Sequence, residues 1–360
     1  MKKYIFIPSL ALGGAEKVVS TLFKSDAINE NCDLLLLDST REYDLKDKLP
    51  QLLTTSVFLS MIFRRDYSII QCHLVWPLII GSIIKFCNRS FELQAVHCFS
   101  YEGYLCRKSE PLRVLLTKVL TVSMKLVDNH IFKSIDMMDD FVDIFGFKPK
   151  KFSIIHNPID LKRNIDKAHK VDFNNFKEGT VNIAIVGRVC RAKGAFDVFK
   201  LAKIVDEEYQ FHLIGDGPDF EEVSKISQSY SNVILHGRLL NPFLFMKKCQ
   251  IYLSLSYNEG FPNALVEAMA LGLYPIHSNC KTGPRELLHG TIDYSRCQKT
   301  QSGFLFPPGD MVACKDGLTM FKTLSENEVL SVLEKNKSVT EKFEFNRILA
   351  QYLEVLRIST

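Results

Sequence analysis

Val181-Asn-Ile-Ala-Ile-Val-Gly187-Arg188-Val-Cys-Arg191-Ala-Lys193-Gly194 joins a short apolar run to a glycine, three cations and a second glycine. An apolar run of this length without polar alternation is the pattern of a strand buried on both faces of a parallel sheet. Gly187 is where such a strand turns, and Gly194 is expected to open the following helix. The pattern returns at Phe211-His-Leu-Ile-Gly215, Val233-Ile-Leu-His-Gly237, Ile251-Tyr-Leu-Ser-Leu-Ser256 and Tyr274-Pro-Ile-His277. A parallel sheet over 181–340 follows.

The first part of the chain repeats the alternation. Strands are expected at Tyr4–Pro8, Asp33–Leu37, Ser68–His73, Phe91–His97, Asn129–Phe132 and Phe152–His156. Helices are expected from Ala15 and over Leu74–Cys87, Pro111–Val127 and Asp136–Phe145. Between the halves, 157–180 turns polar, with Asn157-Pro158, Asn174-Asn175 and Glu178-Gly179 as breakers, and reads as a linker. Phe343–Ile358 has helical spacing, so 341–360 is expected to pack back on the first domain. The predicted class is α/β: two Rossmann-like, doubly wound parallel-sheet domains, 1–156 and 181–340, facing a central cleft.

Composition excludes several classes. With 360 residues, 46% hydrophobic and 24% charged, the chain falls outside disordered, collagenous and coiled-coil ranges. Lys+Arg 45 against Asp+Glu 41 is too slight an excess to mark a nucleic-acid binder. The excess lies within 1–165, which suits an anionic substrate or a lipid surface. Ten cysteines without zinc or redox spacing read as reduced core thiols of a cytoplasmic protein. Leu74–Cys87 is about 14 residues where a membrane span needs roughly 20, and Pro77, Gly81 and Lys85 interrupt it. It is expected to be a buried helix.

Strand ends and helix N-termini of such sheets bind anions. Gly13 and Gly14 between the first strand and helix suit close backbone approach to an anion, or simply a tight turn. Arg188 and Lys193 suit a diphosphate. Gly215-Asp216-Gly217-Pro218 follows a strand but lacks the spacing of a dinucleotide site. Ser256-Tyr-Asn-Glu259-Gly260-Phe261-Pro262-Asn-Ala-Leu-Val-Glu267 places one carboxylate in a loop and a second about two turns along, where both can accept from sugar hydroxyls. Gly260 and Pro262 let this loop turn its backbone N–H groups towards a phosphate.

Together these residues resemble the retaining glycosyltransferases of family 4, whose GT-B fold sets two Rossmann-like domains around a donor cleft. The resemblance rests on Gly13-Gly14-Ala15-Glu16, His97, Asn157-Pro158-Ile159-Asp160, Gly187-Arg188, Lys193-Gly194, Gly215-Asp216-Gly217-Pro218 and the pair Glu259 and Glu267. It implies that Arg188 and Lys193 hold and stabilise the leaving nucleotide diphosphate. Glu259 would bind donor-sugar hydroxyls and Glu267 the ribose. Gly260, Phe261 and Pro262 would meet sugar and phosphates by backbone, with Gly13, Gly14 and Gly215 lining the same ligand. His97 matches the histidine near the sugar's 6-hydroxyl, and His73 a weaker family position.

The resemblance also implies a UDP-sugar donor, with galactose or N-acetylgalactosamine ahead of glucose types, and a polyprenyl-diphosphate-linked saccharide acceptor in surface-polysaccharide (O-antigen or capsule) assembly. No cofactor is expected, and no metal ion, because the chain lacks an Asp-x-Asp motif. The basic amphipathic stretch 104–125 reads either as a helix with a solvated edge or as a peripheral contact with the inner face of the cytoplasmic membrane. Two alternatives stand beside the transferase. A nucleotide-sugar epimerase would turn over donor without acceptor, and a silent nucleotide-sugar-binding subunit would bind without turnover.

Overall fold

The computed structural model describes residues 1–360 apart from 12, 44, 47, 161–175, 178, 240, 294 and 360. Most of the expected linker, and Leu12 beside the first glycine pair, lie outside the described residues. The chain divides into two compact units, Met1–Pro158 with Phe345–Thr360, and Ile159–Glu344.

Among the described residues, unit 1 has seven strands: β1 (Lys2–Ile7), β2 (Cys32–Leu36), β3 (Gln51–Leu52), β4 (Tyr67–His73), β5 (Glu92–Val96), β6 (Asn129–Phe132) and β7 (Phe152–Ile154). They pair in parallel in the order β3-β2-β1-β4-β5-β6-β7. The helices between them are α1 (Gly14–Leu22), α2 (Asp26–Asn31), α3 (Thr55–Phe63), α4 (Val75–Cys87), α5 (Tyr101–Leu105), α6 (Glu110–Lys125) and α7 (Ile135–Phe145). The strand order reverses at β1, so right-handed crossovers send α1 to one face and α3 to α7 to the other.

The alternation of side chains along each strand feeds two cores. Ile5 and Ile7 enter the core shared with α1 and the helix Phe345–Val355. Phe6, between them, enters the core shared with α3, α4, α6 and α7. Hydroxyl caps fix helix starts: Thr54 Oγ1 accepts from the Val57 N–H at 3.3 Å, and Ser134 Oγ from the Met137 N–H at 3.1 Å.

Two expectations for unit 1 are corrected. The stretch 104–125 is broken: α5 ends at Leu105 and α6 begins at Glu110. Helix α4 is not a buried helix, because Trp76, Ile83 and Phe86 are exposed on its outer face. Among the described residues of unit 1, a single layer of helices covers this face of the sheet, so one side of α4 meets water.

Unit 2 contains β8 (Val181–Val186), β9 (Tyr209–Ile214), β10 (Val233–Gly237), β11 (Ile251–Ser254), β12 (Tyr274–Ser278), β13 (Gln298–Lys299) and β14 (Phe304–Phe306), in the order β10-β9-β8-β11-β12-β14-β13. Here too successive residues split between two cores, Ile183 to one and Ala184 to the other. The sheet is not wholly parallel, since β13 runs antiparallel to β14. The turn joining them, closed by Thr300 N–H to Gly303 O at 2.9 Å, is too short for a crossover. All ten cysteines are free thiols; Cys32, Cys72, Cys249, Cys280 and Cys314 are buried, whereas Cys87 and Cys106 are exposed rather than core residues.

Candidate active site

Strand order in unit 2 reverses between β8 and β11, and open α/β sheets bind ligands outside the strand C-termini at such a switch point. The loop leaving β8 carries Arg188 and Lys193. The loop leaving β11 carries Glu259, Gly260, Phe261 and Pro262. Each is tied to its neighbours by backbone contacts.

Arg191–Lys193 form a single 3-10 turn closed by Gly194 at φ 69°, and the helix proper is Asp197–Ala202. Gly194 therefore ends a turn rather than opening a helix. A Cβ there would lie 2.3 Å from the Leu255 carbonyl oxygen, so only glycine brings this turn against the end of β11. The Tyr257 N–H then donates to Ala192 O at 3.0 Å, joining the two loops. Gly215 approaches Gly187 as closely: a Cβ on it would meet Gly187 O at 1.8 Å.

This clamp delivers the central contact. Lys193 Nζ lies 2.5 Å from Glu259 Oε2 and donates to Asn258 O at 3.4 Å. The Glu259 side chain is 11% exposed. Thr282 Oγ1 donates to the Glu259 backbone oxygen, and Ser278 Oγ donates to Ser256 O at 2.5 Å. Burial pushes the Glu259 carboxyl up, but the charge of Lys193, with hydrogen bonds from Lys193 and Ser256, outweighs it and holds the group below the usual carboxylate range.

His277, near the end of β12, is fully buried beneath this loop. Its Nδ1–H donates to Ser278 O at 2.7 Å, a carbonyl that can only accept, which leaves Nε2 as a bare acceptor with no partner among the described residues. Burial lowers its pKa to about 4, so the ring is neutral near pH 7. The buried Tyr252 phenol is held well above its usual value by burial first, then by the charge of Glu259, with a smaller contribution from Glu267. Both carboxylates thus act on one buried locus. Glu267 is buried in the helix Asn263–Leu271, about one turn from its start rather than two.

Arg188 follows Gly187 directly and is exposed at the end of β8. Arg191 is committed elsewhere, its guanidinium 4.3 Å over the Phe196 ring and 3.4 Å from Glu222. Phe261 is buried and Gly260 partly so. A groove of about 700 Å³ lined by His289, Thr291, Arg296 and Lys299 runs along β13, and none of these site residues lines it.

Gly13, Gly14, His73 and His97 belong to unit 1. Gly13 caps α1 in an extended conformation, and its carbonyl accepts from Lys17 N–H at 3.0 Å. His97, just past β5, is buried with both ring nitrogens engaged: Nδ1 with Tyr101 OH at 2.7 Å and Nε2 with His130 Nδ1 at 3.1 Å. Phe132 stacks on the ring at 4.3 Å. Burial, then His130 and Lys133, hold it well below its usual pKa. His73 is buried, its Nε2 3.1 Å from Gln71 Oε1, and burial pushes it to about 3.

Sequence reading passed over Tyr252, Ser256, His277 and Thr282. Tyr252 and His277 stand within otherwise apolar strand runs, and a polar side chain inside a buried strand is the signal that could have found them.

Residues 166–337 match the family described as glycosyl transferases group 1. Over 96% of this chain and 95% of its own length, the N-acetylgalactosamine-N,N'-diacetylbacillosaminyl-diphospho-undecaprenol 4-alpha-N-acetylgalactosaminyltransferase of Campylobacter jejuni is 24% identical. The lipopolysaccharide 1,6-galactosyltransferase of Salmonella typhimurium is 31% identical over 46% of this chain and 44% of its own. Among solved structures, Anabaena HepE in complex with UDP has a TM-score of 0.78 at 16% identity, covering 99% of this chain and all of its own. These likenesses agree with the two Rossmann-like domains of a GT-B fold. Over residues 166–337, just under half of its length, the chain is thus similar to the glycosyl transferases group 1.

Proposed function

We propose that the protein is a retaining, metal-independent glycosyltransferase. It moves a hexose or N-acetylhexosamine from a UDP-sugar to a saccharide carried on a polyprenyl diphosphate, in surface-polysaccharide assembly. The observation that carries the reading is the Lys193–Glu259 contact at the switch point of unit 2. It sets a cation for a diphosphate beside a carboxylate for sugar hydroxyls. The names of the Campylobacter and Salmonella relatives support the galactose or N-acetylgalactosamine donor, and the Campylobacter name supports the lipid-diphosphate acceptor.

In this mechanism the C1–O bond to the diphosphate breaks as the acceptor hydroxyl arrives on the same face. Arg188 and Lys193 stabilise the charge that grows on the leaving phosphate, where preorganised cations are worth most. Glu259, ionised at neutral pH, accepts from donor-sugar hydroxyls and Glu267 from the ribose. The leaving phosphate oxygen takes the acceptor's proton. In unit 1, Gly13 and Gly14 approach the diphosphate by backbone. His97 serves the sugar's 6-hydroxyl only if ligand binding releases one of its two ring contacts. Residues 104–125 provide a peripheral contact with the inner face of the cytoplasmic membrane.

Transfer of labelled sugar from UDP-galactose or UDP-N-acetylgalactosamine into a polyprenyl-diphosphate-linked acceptor tests the reading. Incorporation that disappears in Glu259→Gln supports it. Donor turnover without acceptor, with the nucleotide still attached, would mean an epimerase.

A further inference from the structure

Helix α4 has two faces, and both are apolar. Leu78 and Ile84 pack inwards, and Gly81 lies so close to the sheet that a Cβ would meet Cys72 Sγ at 2.7 Å. The outward face exposes Trp76, Ile83, Phe86 and Cys87 at helical spacing, with Ile79 and Ile80 half-buried between them and the core, and no charged side chain among the six. Trp76 is 57% and Phe86 67% exposed. A lone exposed apolar residue needs no explanation, but a continuous stripe does.

The neighbouring helices extend this surface, since α3 and α6 both pack beside α4. On α6, Leu115, Val119 and Val122 form an exposed stripe, with Arg113, Lys118 and Lys125 exposed around it. On α3, Leu59 and Phe63 are exposed, Phe63 at 78%. The segments 59–66, 75–89 and 102–128 hold nine lysines and arginines against four acids, nine minus four giving +5. Of those acids, Asp66 pairs with Arg64, and Asp128 with Lys85 at 2.7 Å. An apolar centre within a basic surround is complementary to an anionic bilayer surface.

We propose that the outer face of α3, α4 and α6 docks on an anionic membrane, with Trp76 and Phe86 entering the headgroup–acyl boundary and Arg113, Lys118 and Lys125 meeting the phosphates. The 13 residues of α4 extend only about 20 Å, so the helix lies on the bilayer rather than crossing it. This deepens the peripheral contact proposed for 104–125, rests on that reading, and moves its centre to α4.

Trp76 is the chain's single tryptophan, so its emission reports the contact directly. The full-length protein is titrated with vesicles of phosphatidylglycerol and phosphatidylcholine, and with phosphatidylcholine alone, while emission and co-sedimentation are followed. The proposal expects a blue shift and sedimentation with the anionic vesicles, weakened by salt. It expects binding to fall at least about tenfold in Ile83→Ser/Phe86→Ser, whose exposed positions leave the fold intact. Unchanged emission and no sedimentation would overturn it. So would a lipid-independent, concentration-dependent blue shift with a dimer in sedimentation, which would assign the face to a second copy. UDP stabilisation, measured on the same preparations, separates this from the transferase reading: UDP binding without vesicle binding removes the surface and leaves the enzyme.

Discussion

Lys193 Nζ and Glu259 Oε2 meet at 2.5 Å and join the loop that leaves β8 to the loop that leaves β11. The contact exists because Gly194 lets one loop lie against the base of the other, and because Thr282 and Ser278 hold the second loop from beneath. In the proposed reaction this cation and this carboxylate separate onto phosphate and sugar.

Lys193→Ala should therefore lower kcat by about 10²- to 10³-fold, the usual loss when one charge-stabilising group is removed. Glu259→Gln should lower kcat/KM for the sugar nucleotide more than it weakens binding of free UDP, because UDP lacks the hydroxyls assigned to Glu259. Steady-state kinetics set beside UDP calorimetry would check both. Equal losses for UDP and UDP-sugar would remove Glu259 from sugar recognition.

The depressed Glu259 carboxyl links stability to acid. Its folded pKa lies below the unfolded value of about 4.3, so its contribution is present above that pH and is lost as pH falls through the folded value. Denaturant melts at pH 6 and pH 3.5 should show wild type losing more stability than Glu259→Gln over that interval. Parallel losses would show that the carboxyl is not held by its partners.

Two glycines make a matched pair. Gly194 and Gly272 both have positive φ, 69° and 82°, but a Cβ at Gly194 strikes the Leu255 carbonyl whereas one at Gly272 meets nothing within 4 Å. Gly272→Ala should cost about 1–2 kcal/mol from backbone conformation alone. Gly194→Ala should cost more and should also weaken UDP binding, since the turn that carries Lys193 must shift. Thermal melts with and without UDP measure both effects.

Unit 1 hides a different liability. Lys133 is buried, donates to Tyr352 OH in the C-terminal helix, and has its pKa lowered by burial to about 8. The unfolded chain binds more protons at this site between pH 8 and about 10.5, so this one group makes stability rise across that window. The difference in melting temperature between Lys133→Met and wild type should be positive at pH 7 and shrink towards pH 10. A difference independent of pH would show that the lysine is not desolvated.

Much of this was legible in the chain. Val181–Gly187 and Ile251–Ser256 announce buried strands through unbroken apolar runs, and Lys193 and Glu259 stand where such strands end. Local signals failed where tertiary contact decides. Gly194 reads as a helix opener, yet the close carbonyl of Leu255 makes it the cap of a 3-10 turn. The apolarity of Leu74–Cys87 suggests burial, but periodicity cannot tell that its outer stripe has no covering layer. His277 shares the β12 run, and only the fold sets it beneath Glu259. His97 stands at a strand end, as its run suggests, and Tyr101 is only four residues on, but its contact with His130 depends on a strand distant in sequence.

The most direct test of the central claim is a thermal-shift panel of UDP, GDP, ADP and their common sugar derivatives on wild type and Lys193→Ala. A ligand that binds only the folded state raises the melting temperature by mass action. The account predicts stabilisation by UDP and UDP-sugars over the other nucleotides, lost in Lys193→Ala. No response to any nucleotide, or a response unchanged in the mutant, would contradict the assignment of Lys193 to a nucleotide diphosphate.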